Sequence, residues 1–267
     1  MEIVALLAAR NEARFIAPCL ENLRRQGVNA YLIDNESTDN TLEIALTFLG
    51  VNLVGFETLP FDGEYNWPRI LRRKQELAGE LGASWYLQQG IDEFRLPPAG
   101  MGTLAEALDH VQSEGYNAVN FQEFTFIPTI EQPNHDHPGF AQTMRWYYPF
   151  LPRPQNQVNA WRQPDGPVEL LESAGHRVAF EHQRLYPVDF QIKHYAFLSR
   201  EHAIEKYVQR RYSEDGLERG WHGWRPRITI EDIDLPSATQ LRQVGPAGEL
   251  DANEPWTTHW LDKPIPE

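Results

Sequence analysis

The sequence predicts an α/β fold, with a mostly parallel central sheet flanked by helices and a loop-rich C-terminal region. Three observations predict it. Apolar runs alternate with helical patterns through residues 1–127, as in strand–helix–strand crossovers of a parallel sheet. Three apolar runs stop at polar clusters, Arg10-Asn11-Glu12, Asp34 to Thr41, and Gly90 to Phe94. In open α/β sheets, ligands bind outside the carboxyl ends of the strands. After Ile127 the helical pattern lapses, and residues 128–167 hold eight of the twenty prolines.

Each element follows in order. Ile3 to Ala9 is the first strand, and an amphipathic helix is expected over 12–26, ended by Gly27. Residues 30–34 form a strand, Thr41–Leu49 a helix and Val51–Phe56 a third strand. Pro60 to Pro68 is a loop. Ile70 to Leu81 reads as a helix with Arg69, Arg72, Arg73 and Lys74 on its exposed side. Ser84 to Gln89 is a strand, Thr103 to Val111 a helix, and Asn117 to Ile127 a strand. Beyond it, Gln142 to Phe150, Arg177 to Phe180 and Phe190 to Phe197 read as strands. A helix N-capped by Ser199 is expected over Arg200 to Tyr212. The last forty residues are expected to wrap the surface. The chain falls into two halves of one domain, a regular α/β half over 1–127 and a loop-rich half over 128–267.

Composition narrows the function. The 267 residues carry 24 basic and 38 acidic side chains, a formal charge of -14. Such a chain is a poor non-specific partner for nucleic acid or anionic membranes. One cysteine, Cys19, excludes an internal disulfide and a multi-cysteine metal site, and reads as a core residue. The apolar start has no basic leader, and no run approaches the ~20 residues of a membrane span. The expectation is a cytoplasmic protein without a transmembrane segment.

The polar clusters admit plain readings. Asn11, Ser37 or Asp39 can cap a helix, Asp92 and Glu93 can be turn acids, and a basic stripe is usually a solvated face. A carboxylate at a strand end can also hold a divalent cation, and a nearby basic stripe can meet a diphosphate.

Together the clusters resemble the family-2 glycosyltransferases of the GT-A fold, the nucleotide-diphospho-sugar transferases. Ala9-Arg10-Asn11-Glu12 matches the first family element. Asp34-Asn35-Glu36-Ser37-Thr38-Asp39-Asn40-Thr41 matches Asp-x-x-Ser-x-Asp-x-Thr in full. Trp85 to Phe94 matches the third, except that Gly90 replaces the first acid of Asp-x-Asp. The resemblance covers residues 1–95. It implies that Glu12 and Asp34 contact the base, with backbone around Ala9 and Arg10 beside it. Asn11 belongs to the same nucleotide-binding element, and Asp39 supports it from behind. Arg73 and Lys74 are implied to add positive charge at the diphosphate. Asp92, and His194 as a late histidine, are implied metal ligands for Mn²⁺ or Mg²⁺.

The implied reaction is metal-assisted transfer of a hexose-type sugar from a nucleotide-sugar donor to a carbohydrate or other hydroxyl acceptor. An inverting transfer needs a carboxylate base, and Glu123 and Asp189 are the candidates. Trp146, Tyr147, Trp221 and Trp224 are candidate stacking surfaces. His135-Asp136-His137 has a metal-like spacing in a loop. One rival is a catalytically impaired GT-A protein that binds a nucleotide sugar or a partner without turnover, as Gly90 suggests. The other is a nucleotidyltransferase, against which the absence of glycine from Ala8-Ala9-Arg10-Asn11-Glu12 argues.

Overall fold

The computed structural model describes residues 1–152 and 157–262. In chain order the elements are β1 (Ile3–Ala9), α1 (Ile16–Arg25), β2 (Asn29–Asp34), α2 (Thr41–Leu46), β3 (Leu53–Thr58), α3 (Trp67–Glu80), β4 (Trp85–Gln88), β5 (Glu93–Leu96), α4 (Leu104–Ser113) and β6 (Ala118–Phe126). They continue with α5 (Phe140–Thr143), β7 (Trp146–Phe150), β8 (Val158–Arg162), β9 (Phe190–Tyr195), α6 (Arg200–Ala203), α7 (Glu214–Glu218) and β10 (Arg242–Gln243). The chain divides into two compact units. Among described residues, unit 1 holds 1–62, 67–121 and 157–192, and unit 2 holds 63–66, 122–152 and 193–262. The division is therefore discontinuous in sequence, and residues 157–192 belong with the N-terminal half.

Unit 1 is α/β. Its strands run in the order β6-β8-β4-β1-β2-β3. β1 pairs in parallel with β2 and β4, and β2 with β3. β8 is antiparallel to both β4 and β6. β1 is apolar along its length because its neighbours bury both faces, as parallel sheets require. α1 turns Ile16, Cys19, Leu20 and Leu23 inward, and each such apolar side chain contributes about 1.5–3 kcal/mol on full burial. Gly27 ends that turn at φ +71°, where a Cβ would stand 2.9 Å from Cβ of Ala105. α4 opens on a reciprocal cap between Thr103 and Glu106.

The order of these strands defines where a ligand would sit. The chain moves outward from β1 through β2 to β3, then returns on the other side of β1 as β4. The crevice of such a sheet lies at the carboxyl ends of the strands that flank the reversal, here after Ala9 and Gln88.

Unit 2 is built on the second half of β6. β7 pairs with it antiparallel from Glu123↔Phe150 to Phe126↔Tyr147, and β10 pairs with β7. Ile127, Tyr148, Phe150, Phe197, Tyr207 and Leu261 are buried in its core. Several expectations are corrected here. Gln142 to Phe150 is not one strand, since α5 occupies its start. Ser199 does cap a helix, accepting from His202 N, but Arg200 to Tyr212 is not a single α-helix. It passes into a π-turn at Ile204–Val208. The C-terminal stretch does more than wrap the surface, because Ile233 and Leu261 are core residues with Trp256 and Trp260 packed on them. Among the described residues, no helix is long and apolar enough to cross a membrane.

Candidate active site

The two loops after β1 and β2 are laced together by the residues that made them conspicuous. Asn11 stands at φ +56°. Its N donates to Ser37 Oγ at 3.1 Å, and its Oδ1 accepts from Thr38 N at 2.8 Å. Glu12 N donates to Thr41 Oγ1 at 2.7 Å, and Ala13 N to Asp39 Oδ2 at 3.2 Å. Asp39 Oδ1 accepts from Thr41 N at 2.9 Å. Asn35 N donates to Ala9 O at 2.8 Å. Asn11 therefore does not cap α1; it ties one loop to the other.

Arg10 closes the same junction. Its Nη1 donates to Asn35 O at 2.7 Å and to Glu36 O, and its guanidinium lies 3.4 Å from the Phe61 ring centroid. Glu36, at φ +50°, accepts from Phe61 N at 2.8 Å. Phe61 was not singled out in sequence, because an isolated loop aromatic carries no periodic signal.

Asp34 ends β2 and is 2% exposed. Its Oδ2 accepts from Ser37 N at 3.1 Å. Its Oδ1 is buried with no hydrogen-bond partner among the described residues. A buried carboxylate oxygen left unpaired is costly, so this atom marks a place for a ligand donor.

The end of β4 holds the third cluster. Glu93 folds back so that its Oε2 accepts from Gly90 N at 3.0 Å and from Arg95 Nη1 at 2.6 Å. Arg95 is buried, donates to Asn159 Oδ1 at 2.9 Å and lies over the Phe121 ring. Glu93 and Arg95 are two apart on β5 and share a face, a pairing legible in the sequence had that strand been expected. Asp92 is half-buried beside Gly90. A Cβ on Gly90 would stand 2.9 Å from Asp92 Oδ1 and 3.1 Å from Glu93 Cδ.

The basic stripe of α3 is corrected. Lys74 is not exposed but buried, its Nζ 2.5 Å from Gln88 Oε1. Burial pushes its amine down to about 7, against the pull of Glu93. Arg73 binds Glu57 through Nε at 2.7 Å, and reaches Glu76 and Glu80 at 2.9 Å each. Those three carboxylates answer its charge in this structure. Cys19 is a buried core thiol, pushed up to about 12 by burial.

In unit 2, His194 on β9 places Nδ1 2.7 Å from Glu123 Oε1 on β6. Thr125 Oγ1 donates to the same oxygen at 2.8 Å. Burial opposes charge on Glu123, but His194, then His259 and Thr125, hold its carboxyl down to about 2. A carboxylate in that state is a poor proton acceptor at neutral pH. It is instead the partner that fixes a histidine ring. His194 lines a small cleft with Tyr148, Trp224, Arg225 and His259, with room for about one water. Asp189 is exposed on the turn before β9, in unit 1. His135 and His137 both meet Thr143, at 2.9 and 3.1 Å. Tyr147 is a buried core residue, and Trp224 packs on Tyr207. Among the described residues, no three His, Cys, Asp or Glu side chains converge as a metal cage.

The sequence model of the family described as glycosyl transferase family 2 matches residues 5–58, from β1 to the end of β3. Residues 5–58 are thus similar to a stretch of the family-2 glycosyltransferases. This segment contains both laced loops and the unpaired oxygen of Asp34. No curated protein matches the chain in sequence. Among solved structures, S. aureus TarS is similar at 12% identity, with 87% of this chain and 46% of that chain covered and a TM-score of 0.40. TarS 1–349 in complex with UDP-GlcNAc is similar at 13% identity, 87% and 77% coverage and a TM-score of 0.43. A UDP-glucose pyrophosphorylase complexed with UDP-glucose gives 10% identity, 67% and 73% coverage and a TM-score of 0.29. This chain thus spans under half the length of the full TarS chain.

Proposed function

We propose that this protein transfers a sugar from a nucleoside diphosphate sugar to a hydroxyl acceptor. The observation that carries the reading is the buried, unpartnered Oδ1 of Asp34 inside the family-2 segment. It sits at a strand's carboxyl end, and an imide or amino N–H of a nucleobase is the donor it lacks. Arg10 and Asn11 hold the two loops in place around it, and Asp39 braces them from behind. Glu12 and the backbone of Ala9 and Arg10 border the same loops.

A divalent cation fits the third cluster in one way only. Asp92, half-buried after the end of β4, is the acid that the family resemblance assigns to the ion. Mg²⁺ and Mn²⁺ commonly take one or two carboxylates and draw the rest from water and substrate phosphates. Asp92 is the candidate ligand in unit 1; in unit 2, His194 is a candidate ligand whose ring Glu123 orients. When bound, the ion supplies a Lewis acid for the departing diphosphate. The chain's own residues bind the base and orient the loops. Asp189 is the candidate to take the acceptor hydroxyl's proton, and a hexose-type donor follows the family.

A second reading keeps donor binding and drops turnover, and Gly90 favours it, since the motif's first carboxylate has no room there. Calorimetric titration of UDP and then GDP, with Mn²⁺ and with chelator, decides between the readings. Metal-dependent binding together with sugar transfer supports the first. Binding without any transfer supports the second, and no binding of either nucleotide overturns both.

A further inference from the structure

Unit 2 contains a cluster that the transfer reaction above does not use. Tyr212 and His222 are 8% and 4% exposed, with ring centroids 4.3 Å apart. Tyr65 packs edge-on against Tyr212 at 6.2 Å, and Arg210 lies over the Tyr65 ring at 4.9 Å. Backbone bonds fix the arrangement, with Tyr65 N donating to Arg211 O at 2.7 Å and Ser213 N to Tyr65 O at 3.3 Å.

Three buried atoms in this short stretch have no hydrogen-bond partner among the described residues. They are Tyr212 Oη, His222 Nε2 and Arg225 Nε. Their chemistry is shared. A phenol, an imidazole in its Nε2–H form and a guanidinium all donate. Elsewhere among the described residues Asn22, Asp34, Asn52 and Gln89 leave acceptor oxygens unpaired and Arg95 leaves one donor, so a group of three donors is particular to this place. Arg225 and Arg210 both act on His222 electrostatically, and with burial they push its ring down to about 4. Gly216 borders the imidazole: a Cβ there would stand 2.5 Å from Nε2. Only glycine leaves that nitrogen room.

Three unpaired donors in one short stretch, with Arg210 and Arg225 both acting on the same imidazole, call for an anion that brings acceptors and no donors. We propose that Arg210, Tyr212, His222 and Arg225 form an oxyanion site that takes the phosphate of a phosphorylated substrate. Arginine is suited to this because its planar donors match phosphate oxygens. The phosphate has two sources, the donor's diphosphate or a phosphorylated acceptor. The site does not depend on the nucleotide reading, because it is defined by unit 2 residues alone.

The test is quenching of tryptophan fluorescence, with Trp221 and Trp224 as reporters, on titrating inorganic phosphate and pyrophosphate into the full chain with chelator present. Saturable binding is expected, weakened by about tenfold or more in Arg225→Gln and in Tyr212→Phe, the loss of one charge-assisted hydrogen bond. Tyr212→Phe keeps the ring, and a thermal melt confirms that it folds; if it does not, Arg225→Gln decides. Repeating the titration with saturating UDP or GDP separates the sources. Displacement of phosphate assigns the site to the donor, and simultaneous binding assigns it to a phosphorylated acceptor. No saturable binding, or variants that bind like the wild type, would mean that water satisfies these donors, and overturns the proposal. Nucleotide binding lost only in Asp34→Ala would leave this result untouched.

Discussion

A Cβ on Gly90 would stand 2.9 Å from Oδ1 of Asp92. Glycine at this place is therefore part of the packing and not a bare deletion of a carboxylate. Glu93 Cδ would stand 3.1 Å from the same Cβ, and its carboxylate is tied to Gly90 N and to buried Arg95. Restoring the family's acid with Gly90→Asp should not improve cation binding. The new side chain must push Asp92 or Glu93 aside, which overpacking data put at about 1–3 kcal/mol. A thermal melt and a Mn²⁺ titration check this. A variant that melts no lower and binds Mn²⁺ more tightly would show that the crowding is easily relieved.

Asp34 should separate binding from stability. Asp34→Ala removes one accepted bond, from Ser37 N, worth about 0.5–1.5 kcal/mol. It also removes the unpaired Oδ1, whose burial costs stability in the absence of ligand. The two effects oppose each other, so the melting temperature should change little. Nucleotide affinity should fall by about tenfold or more, read by calorimetry with UDP and GDP. Equal losses in both would make Asp34 a loop brace only.

Much of unit 1 was legible because its signals are local and periodic. β1 and β2 are uninterrupted apolar runs, and α1 carries its stripe at helical spacing, so boundaries fall within a few residues of those expected. The loops after β1 and β2 were legible as a site, but not which atoms in it remain open. Asn11, Ser37, Asp39 and Thr41 look like ligand groups in sequence and are partners of one another in the fold. Arg73 and Lys74 misled for a different reason. Helical phase placed them near one face, but Glu57 and Gln88 come from other elements, and no local pattern announces those partners. Unit 2 was least legible. Its core joins β7, the π-turn and Leu261 across more than a hundred residues, with prolines interrupting every period.

Arg73 gives a test of its part in donor binding. It joins α3 to β3 through Glu57, whose other contact is Tyr31 on β2. Arg73→Ala should lower stability by about 1 kcal/mol, since these pairs are partly solvated. Nucleotide affinity should stay within about twofold. A larger loss of affinity than of stability, measured by calorimetry beside urea unfolding, would return Arg73 to the diphosphate.

Lys74 gives stability a pH dependence of predictable sign. Burial lowers its folded value to about 7, whereas an unfolded lysine titrates near about 10.4. Between these values the unfolded chain binds more protons, so stability rises with pH. Below about 7 the full cost of a buried ammonium is present. Urea unfolding from pH 6.5 to 10 should show this rise in the wild type and a flatter profile in Lys74→Met. Parallel profiles would mean that the ammonium keeps its charge by a partner or a water.

Glu123 has the opposite sign and bears on catalysis. Its folded value is about 2, against about 4.3 for an unfolded glutamate. Its contribution is present above about pH 4.3 and is lost as pH falls toward 2, a change on the order of 3 kcal/mol. Acid unfolding of Glu123→Gln should lack this component. Turnover then separates two roles. If the carboxylate only fixes the His194 ring, Glu123→Gln retains part of the activity, because the amide still reaches the ring across 2.7 Å. If Glu123 takes the acceptor's proton, the same variant loses activity at every pH while its acid unfolding changes in the same way. The buried position, with Thr125 and His194 both at one oxygen, favours the first outcome, since a base must present a lone pair to the substrate it serves.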